Sequence, residues 1–308
     1  MEADERGRGG RQRDGLSIVI PAYNEEAGLP AVLADLLATM RGAALPAWEI
    51  IVVDDGSTDG TRQALSGWDE VTVLHHDRNR GYGASLKTGI RRARHPLIAI
   101  TDADGTYPNG DIPRLLRQLR EEGLDMVIGA RTGDDVRIPP LRRPAKRMLR
   151  ALATYVSATP IPDLNSGLRV FRREACMRFF DLLPDGFSFT TTISLAMLQS
   201  GFRVGYAAID YHARVGASKI RPVRDLLNFV QLVLRIGLYF APLKIFVPMG
   251  WVLMGAGVAW GVVSRLVLGR LADVSTLVLM MTGIQVFVIG LVAELINRRV
   301  PNVYRQEE

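Results

Sequence analysis

The sequence is poor in the residues that form disulfide frameworks and soft metal clusters. Its 308 residues include one cysteine, Cys176, and four histidines. A single cysteine excludes an internal disulfide framework and suits a reducing compartment. We expect Cys176 to be a small buried hydrophobic residue rather than a nucleophile. His75 and His76 lack ligand-like spacing to other histidines or to cysteine, so we expect them to be structural.

The amino-terminal residues lack an apolar segment. Residues 1–15 read MEADERGRGGRQRDG, so we expect a disordered tail there rather than a signal peptide. The formal net charge of the chain is +6, which fits acidic partners without choosing between nucleic acid, anionic lipid and phosphorylated substrates. A 48% share of hydrophobic residues over this length allows one large or two medium domains.

Two segments near the carboxyl end lack charge. Residues 245–264 and 274–293 are uncharged throughout, and each is long enough to cross a bilayer core as a helix. Their short connection, 265–273, predicts an antiparallel hairpin. Lysine and arginine are more frequent outside the hairpin than in this connection, which predicts a cytoplasmic location for both termini and for the preceding domain. Without an ionisable residue in either segment, we expect no ion or proton pathway.

Short apolar runs alternate with amphipathic stretches from Leu16 to about Tyr211. This alternation is typical of an α/β domain with a mostly parallel sheet. Ligands of such sheets bind beyond the carboxyl ends of the strands, which makes polar motifs at those ends candidates for a site. The predicted strands are 16–21, 49–54, 71–75, 97–102 and 125–131, and the predicted helices are 25–40, 58–66, 81–93 and 111–121.

The motif TDADGTYP follows the apolar residues 97–100. Asp102 and Asp104 are two residues apart where the chain leaves a predicted strand, so both carboxylates can face one ligand. Two carboxylates at that place suit Mg²⁺ or Mn²⁺, with a substrate diphosphate filling the remaining positions. The plain alternative is a strand followed by an acidic turn.

The second predicted strand ends in VVDDGSTDGT. The residues STD can cap the next helix, but capping leaves Asp54 and Asp55 unused. A carboxylate at this place can accept hydrogen bonds from a uracil or guanine edge or from ribose hydroxyls. Gly81 begins the helix of NRGYGASLKTG, where backbone can approach a nucleotide closely.

Two basic regions are candidates for contacts with phosphate. Residues 137–155 form an amphipathic stretch that is either a solvated helix face or a helix on anionic lipid. Residues 211–222 form a basic loop with the donors that a phosphate or diphosphate needs, although a solvated loop has the same composition. The candidate donors are Arg143 and Arg147 in the first region and Arg214, Ser218 and Lys219 in the second.

Seven motifs occur in an order that resembles glycosyltransferase family 2. They are PAYNEE, VVDDGSTDGT, NRGYGASLKTG, TDADGTYP, the GAR at 129–131, DLNSGLRVFRR and RVGASK. Within that family the chain is similar, over about residues 16–222, to the polyprenyl-phosphate glycosyltransferases related to dolichyl-phosphate mannose synthase. The resemblance implies a GT-A (Rossmann-like) α/β domain with a mostly parallel sheet, followed by an amphipathic interface helix and two transmembrane helices.

The resemblance also implies an inverting, metal-dependent hexosyltransferase bound to the cell membrane. Its donor would be a nucleotide sugar of the GDP-mannose or UDP-glucose type, and its cofactor Mg²⁺ or Mn²⁺. Its acceptor would be a polyprenyl (dolichyl or undecaprenyl) phosphate at the cytoplasmic face. Many members carry a glutamine as a further metal ligand where this chain has Thr106. We expect no nucleic-acid partner, and the sequence leaves a homo-oligomer open.

Individual roles follow from the same resemblance. The donor would be bound by Pro21, Tyr23, Glu25, Asp54, Asp55, Gly81, Lys87 and Asp102, and the metal by Asp102 and Asp104. The acceptor phosphate and donor diphosphate would be held by Arg131, Arg143, Arg147, Ser166, Arg169, Arg214, Ser218 and Lys219. The catalytic set would be Asp102, Asp104, Arg131 and Arg214. Strand-like alternation over residues 168–171 places Arg169 on the polar side of a further strand.

The expected organisation is a tail at 1–15, a GT-A domain at 16–221, an interfacial helix at 222–243, a transmembrane hairpin at 244–296 and a cytoplasmic tail at 297–308. Two other functions fit parts of the sequence. One is a family 2 transferase acting on a sugar hydroxyl of a glycolipid or polysaccharide. None of the four tryptophans lies in the Gln-x-x-Arg-Trp signature of processive members. The other is a non-catalytic, membrane-tethered nucleotide-sugar binding protein, against which the intact pair Asp102 and Asp104 argues.

Overall fold

The computed structural model describes residues 15–132, 154–155, 160–212, 237–238, 241–267, 269 and 273–299. The chain forms two compact units with a boundary between residues 226 and 227. The basic stretch 137–153 and the greater part of the predicted interfacial helix at 222–243 lie outside the described residues.

The first unit contains a seven-stranded sheet of order β3-β2-β1-β4-β6-β5-β7. All described neighbours in this sheet are parallel except β6, which runs antiparallel to both β4 and β5. The strands are β1 (Leu16–Ala22), β2 (Trp48–Asp54), β3 (Val71–His75), β4 (Leu97–Ile100), β5 (Met126–Arg131), β6 (Arg169–Arg172) and β7 (Val204–Ile209). The prediction of a mostly parallel α/β sheet is confirmed.

Helices connect the parallel strands and cover the sheet. They are α1 (Leu29–Gly42), α2 (Thr61–Leu65), α3 (Tyr82–Arg92), α4 (Ile112–Glu121), α5 (Arg173–Arg178) and α6 (Phe189–Gln199). The central strand β4 is buried at all four positions, which explains why it appears in the sequence as an unbroken apolar run. Helix α1 buries Leu29, Leu33 and Leu36 at helical spacing, and it carries a proline in its first turn, where no backbone N–H is lost from the helix.

Two predicted helices begin later than expected, and the loops before them at the carboxyl edge of the sheet are hydrogen-bonded to each other. Helix α1 begins at Leu29 rather than at residue 25, and α2 begins at Thr61 rather than at residue 58. The N–H of Asn24 donates to Ser57 Oγ (3.0 Å) and the N–H of Glu25 donates to Thr61 Oγ1 (2.9 Å). These bonds join the two loops, while the carbonyl oxygen of Glu25 accepts the N–H groups of Gly28 (3.2 Å) and Leu29 (3.0 Å) in the turn that leads into α1.

The second unit contains two long apolar helices, α7 (Leu243–Val267) and α8 (Asp273–Arg299). Both are long and apolar enough to cross a membrane, with mean hydropathies of 1.7 and 2.2. A Cβ at Gly250 would lie 3.0 Å from the carbonyl oxygen of Gly283, and Trp260 Nε1 donates to Ser275 Oγ at 2.8 Å. Gly250 on α7 is close to Gly283 on α8, and the later Trp260 contacts the earlier Ser275, so the two helices are antiparallel. Glycine permits this close approach of the two backbones.

Candidate active site

The candidate site lies at the carboxyl edge of the sheet, where the loops after β1, β2 and β4 meet. In the parallel register Ala22 pairs with Asp54, and Val19 pairs with Ile100. Strands β1 and β2 therefore end at the same level, and β4 ends three residues earlier in the register, opposite Val19. The carboxylates predicted from VVDDGSTDGT and TDADGTYP follow two of these strand ends, as expected for ligand binding by an open parallel sheet.

Asp102 and Asp104 follow β4, which ends at Ile100 rather than at residue 102 as predicted. Directly after the strand, Thr101 Oγ1 donates to Asn109 Oδ1 at 2.8 Å. Asp102 is partly exposed and accepts a hydrogen bond from the hydroxyl of Tyr82 at 2.9 Å. Asp102 is thus the half-buried carboxylate of the pair, whereas Asp104 is only 7% exposed.

Thr106 occupies the position at which many similar proteins carry a metal-binding glutamine. Its side chain is fully buried, and both its N–H (3.2 Å) and its Oγ1 (2.7 Å) donate to Oδ1 of Asp104. The threonine therefore orients the carboxylate of Asp104, and binding of a metal by Asp104 remains a prediction.

A glycine from a remote segment packs against Asp102. A Cβ at Gly167 would lie 2.8 Å from Oδ2 and 2.9 Å from Oδ1 of that carboxylate. The N–H of Gly167 donates to the hydroxyl oxygen of Tyr107 at 2.7 Å, which keeps the backbone in this place. The segment 163–168, just before β6, therefore forms a wall of the site, and a larger residue at position 167 would displace the carboxylate of Asp102.

Two tyrosines adjoin the same carboxylate, the buried Tyr107 and the partly exposed Tyr82. Burial and the charge of Asp102 raise the pKa of Tyr107 and raise the pKa of Tyr82 well above its usual value. Both phenols stay protonated near neutral pH and remain hydrogen-bond donors. Tyr107 packs edge-to-face on Tyr211, with ring centroids 5.5 Å apart.

Asp54 and Asp55, predicted to bind the donor, are almost fully buried. Asp54 Oδ1 accepts the N–H of Ser57 at 2.9 Å, and its Oδ2 lies 3.0 Å from Nδ1 of His75. Burial acts to raise the pKa of Asp54, but these hydrogen bonds hold it below its usual value. The aspartate at the end of β2 is thus kept ionised while it closes the turn that follows.

Asp55 joins the loops after β2 and β3. Its Oδ1 lies 2.6 Å from Nδ1 of His76 and accepts the N–H of Arg80 at 2.9 Å. Its Oδ2 accepts the N–H of Gly81 at 2.8 Å. His76 also contacts Thr88 Oγ1 at 2.9 Å, so this histidine has the structural role expected from the sequence. Roles of either aspartate in donor binding remain predictions, as do those of Pro21 near the end of β1 and of Tyr23 and Glu25 in the partly exposed turn that follows.

Arg131, predicted to clamp a phosphate, is paired with a carboxylate that the sequence prediction missed. Its Nε and Nη2 donate to Asp163 at 2.6 and 2.9 Å, and its N–H donates to the same side chain at 3.1 Å. Burial opposes the charge of Arg131, but Asp163 raises its pKa above the usual value. The guanidinium also lies 5.2 Å from the ring centroid of Tyr211. Arg131 is therefore a rigidly held cation beside the tyrosines of the site.

The prediction that Arg169 lies on the polar side of its strand is wrong. The side chain is fully buried and points towards α6, where Nη1 donates to the carbonyl oxygen of Thr190 (2.8 Å) and to Ser194 Oγ (3.0 Å). Its Nη2 donates to the carbonyl oxygen of Ser166. Burial lowers the pKa of Arg169. Since β6 is covered on both faces, period-two alternation did not identify a solvent side. Binding of phosphate by Arg169 or by the fully buried Ser166 stays a prediction.

Gly81 and Lys87 hold a second wall of the site. Lys87 Nζ donates to Asp185 Oδ1 at 2.8 Å, and Gly81 has a φ of +104°. A Cβ at Gly81 would lie 2.5 Å from the carbonyl oxygen of Asp185. These contacts seat the segment 184–188 on the start of α3, next to Tyr82. Direct binding of the donor by either residue remains a prediction.

Five predicted phosphate-binding residues lie outside the described residues, so the structure neither joins them to the site nor separates them from it. They are Arg143, Arg147, Arg214, Ser218 and Lys219. The remaining cysteine prediction is supported by the structure. Cys176 is fully buried, and burial raises the pKa of its thiol to about 12, which makes it a poor nucleophile.

The carboxylate pair after β4 fits a divalent cation that is shared with a substrate. In the parts of the chain that the structure describes, no group of three or more histidine, cysteine, aspartate or glutamate residues could hold a metal. Asp102 and Asp104 instead offer hard oxygen ligands but too few to fill the shell of Mg²⁺ or Mn²⁺. Such an incomplete protein shell is typical of sites where substrate phosphates complete the coordination.

The parallel sheet, with two carboxylates beyond its central strand, defines a GT-A glycosyltransferase domain. The chain belongs to glycosyl transferase family 2, since the sequence model of that family matches residues 17–180. Residues 241–298 match the GtrB C-terminal hairpin, which corresponds to the second unit. The recognition of the family from its ordered motifs is confirmed.

Curated relatives include three enzymes named for polyprenyl-phosphate or dolichyl-phosphate products. A dolichyl-phosphate hexose transferase of Haloferax volcanii is 30% identical over 68% of this chain and 88% of the relative. A polyprenol monophosphomannose synthase of Mycolicibacterium smegmatis is 31% identical over 66% of this chain and 80% of the relative. A dodecaprenyl-phosphate galacturonate synthase of Rhizobium johnstonii is 28% identical over 92% and 88%.

Solved structures share the fold at low sequence identity. The glucosyl-3-phosphoglycerate synthase of Mycobacterium tuberculosis, in complex with Mn²⁺, UDP and phosphoglyceric acid, has a TM-score of 0.58 and 19% identity. The match covers 73% of this chain and 78% of that chain. At this identity the likeness shows the fold alone.

Proposed function

We propose that this protein is an inverting glycosyltransferase that moves a hexose from a nucleotide sugar to a polyprenyl phosphate. The observation that carries the proposal is the pair Asp102 and Asp104 at the carboxyl end of β4, in a family 2 domain that precedes a GtrB-type hairpin. The names of the three relatives support the acceptor class. The donors proposed from the sequence, GDP-mannose or UDP-glucose, are retained.

The acceptor explains how the site works without a general base. A lipid monophosphate has a second pKa of about 6 and is mostly dianionic near neutral pH. Its oxygen attacks the anomeric carbon as the bond from that carbon to the diphosphate oxygen breaks, and the nucleoside diphosphate leaves. Asp185, the acid nearest the start of α6, is bound to Lys87 and is not needed to take a proton.

The residues of the site have to hold two anionic groups together. We propose that Asp102 and Asp104 hold Mg²⁺ or Mn²⁺, which would neutralise charge on the departing diphosphate. Arg131 adds a fixed positive charge beside the tyrosines, because its ion pair with Asp163 prevents other rotamers. The basic loop with Arg214, Ser218 and Lys219 is proposed as the remaining phosphate contact.

The apolar hairpin suits an acceptor whose tail stays in a bilayer. Large apolar side chains on α7 and α8 are exposed, including Trp251 at 64% and Val252 at 70%, and lipid would cover such a surface. We propose that the protein is a two-span membrane protein with the domain at 16–221 and both termini in the cytoplasm. The proposed interfacial helix at 222–243 would connect the domain to the hairpin.

The test is transfer in membranes from cells that express the full chain. Radiolabelled nucleotide sugars, each with Mg²⁺ or Mn²⁺, are incubated with polyprenyl phosphate, and lipid-linked label is extracted into organic solvent. We expect one nucleotide sugar to label the lipid, and Asp104→Asn to remove nearly all of this activity while the protein stays folded and membrane-bound. The exposed Asp69→Asn is the matched control.

Two results would contradict the proposal. Label on a glycolipid hydroxyl, with none on polyprenyl phosphate, would favour the hydroxyl-transferring enzyme. Activity of Asp104→Asn within about threefold of the wild type would show that this carboxylate does not bind the metal. Loss of a ligand of the metal that stabilises the departing diphosphate should lower the rate by far more than a factor of three.

A further inference from the structure

An aromatic side chain stands exposed beside the carboxylate pair and has no role in the mechanism above. Among residues 15–132 and 160–212, the exposed large hydrophobic side chains are Met177 at 38% and Phe187 at 78%. Phe187 comes from the segment 184–188 that precedes α6. A largely exposed phenylalanine beside a substrate site suggests a ligand that covers it, because exposure of most of an aromatic side chain to water is unfavourable.

The segment that carries Phe187 is firmly attached to the start of α3. The N–H of Ala84 donates to the carbonyl oxygen of Asp185 at 3.0 Å, and Lys87 Nζ donates to its carboxylate at 2.8 Å. A Cβ at Gly83 would lie 2.1 Å from the carbonyl oxygen of Pro184, so this close contact requires glycine. Phe187 is therefore held in place before any ligand arrives.

Phe187 is connected to the carboxylate pair through one aromatic ring. Its ring stacks on Tyr82, with centroids 5.6 Å apart and an angle of 20° between the planes. The hydroxyl of Tyr82 donates to Asp102 Oδ1 at 2.9 Å. One face of Phe187 thus packs on Tyr82, and the exposure of the side chain leaves the remainder of the ring open to a ligand.

We propose that Phe187 is the binding platform for the hexose ring of the nucleotide sugar, an inference that rests on the proposed function. The sugar is attached directly to the diphosphate, so a diphosphate held at Asp102 would place the sugar close to that carboxylate. Phe187 is also close to Asp102, because only the ring of Tyr82 lies between them. The C–H face of a pyranose is apolar and similar in size to a phenyl ring, so the two stack well. The isoprenoid tail of the acceptor is separated from the reacting centre by its own phosphate.

The platform would also select among sugars. Stacking needs a hexose with axial hydrogens, rather than axial hydroxyls, on the face that meets the ring. A nucleotide sugar whose hydroxyl points into that face would have to lose hydration without gaining a partner. Phe187 would therefore contribute to the choice of hexose, whereas Asp54 and the turn after β1 would bind the nucleotide.

The test compares binding of a nucleotide sugar with binding of its nucleoside diphosphate, in Mn²⁺ and detergent, by calorimetry on the full chain. The variants are Phe187→Ala and Phe187→Trp, with Met177→Ala as the exposed hydrophobic control. We expect Phe187→Ala to lower the affinity for the nucleotide sugar by about tenfold, because stacking on the sugar is lost. The affinity for the nucleoside diphosphate should stay within about twofold of the wild-type value, because the diphosphate carries no sugar to stack. Phe187→Trp and Met177→Ala should bind both as the wild type does.

Other results would contradict the proposed role of Phe187 in binding the hexose. Equal weakening of nucleotide sugar and diphosphate would mean that Phe187 only supports Tyr82 and Asp102. Unchanged donor binding with a raised KM for polyprenyl phosphate would assign the ring to the acceptor. If the wild type binds a nucleotide sugar but transfers nothing to polyprenyl phosphate, the proposed function fails while the binding comparison still decides the role of Phe187. If it binds no nucleotide sugar in the panel, both proposals fail.

Discussion

We expect Gly167→Ala to lower the catalytic rate of this protein while leaving its stability nearly unchanged. The added Cβ would lie 2.8 Å from Oδ2 of Asp102, whereas ordinary contacts begin near 3.4 Å. The carboxylate must therefore retreat by roughly 0.6 Å, because the backbone of Gly167 is held by Tyr107. The atoms that clash belong to the end of a side chain, which can rotate, so the cost to folding is small.

The cost to activity follows from the position of Asp102. In the proposed role of Asp102 as a metal ligand, displacing its carboxylate would move the diphosphate relative to the acceptor, and a misplacement near 1 Å costs on the order of a hundredfold in rate. We expect kcat to fall by about tenfold to a hundredfold. The hydrogen bond from Tyr82 to Asp102 should weaken at the same time, because its 2.9 Å length cannot survive the movement unchanged.

Three measurements on the purified full chain in detergent test this reasoning. They are the thermal midpoint, the affinity for Mn²⁺ with nucleoside diphosphate, and the rate of transfer to polyprenyl phosphate. Gly42→Ala is the control, since a Cβ there meets nothing within 4 Å. We expect Gly167→Ala to keep its thermal midpoint within a few degrees while metal affinity and rate fall. Wild-type activity, or a collapse of the fold without a separate loss of metal binding, would refute the steric argument.

Three further predictions concern neighbouring side chains. Thr106→Val should lower Mn²⁺ affinity by about tenfold, measured by electron paramagnetic resonance, because Asp104 loses the donor at 2.7 Å; unchanged affinity would contradict the orienting role. Asp163→Asn should lower the free energy of unfolding by about 2 kcal/mol, since Arg131 stays charged without its partner, and Arg131→Met in addition should restore part of the loss. Hydrogen bonds hold the pKa of Glu49 below its usual 4.5 although burial opposes them. Its carboxylate therefore stabilises the fold at neutral pH, and this contribution is lost as the pH falls through the folded pKa. The stability difference between wild type and Glu49→Gln should shrink in acid denaturation series below pH 4.5, and a constant difference would refute it.

The sequence by itself determined the features that depend on local pattern. An apolar run such as residues 97–100 must be a buried strand, because its residues have no polar face to present to water. Helical spacing of apolar residues identified α1, and twenty uncharged residues identified each long helix of the hairpin. The pair Asp102 and Asp104 became a candidate because ligands bind beyond strand ends and because further motifs accompany it, and its role in metal binding remains a prediction.

Local pattern did not determine how far each element extends. Local pattern favours a helix from residue 25, but α1 begins at Leu29, and the backbone N–H groups of Asn24 and Glu25 bind the loop after β2. Alternation over residues 168–171 indicated a strand without showing that both faces are covered. Arg169 was therefore assigned to the solvent side, although its charge is buried among carbonyl and hydroxyl groups of α6.

Only the tertiary structure decided which distant residues meet at the site. Asp163 and Arg131 are 32 positions apart, and Gly167 and Tyr107 are 60 apart. Their contact requires β6 to enter the sheet antiparallel between β4 and β5, which brings the segment before β6 to the carboxyl end of β4. Strand direction and order depend on how whole elements pack, and sequence patterns of a few residues contain no record of them.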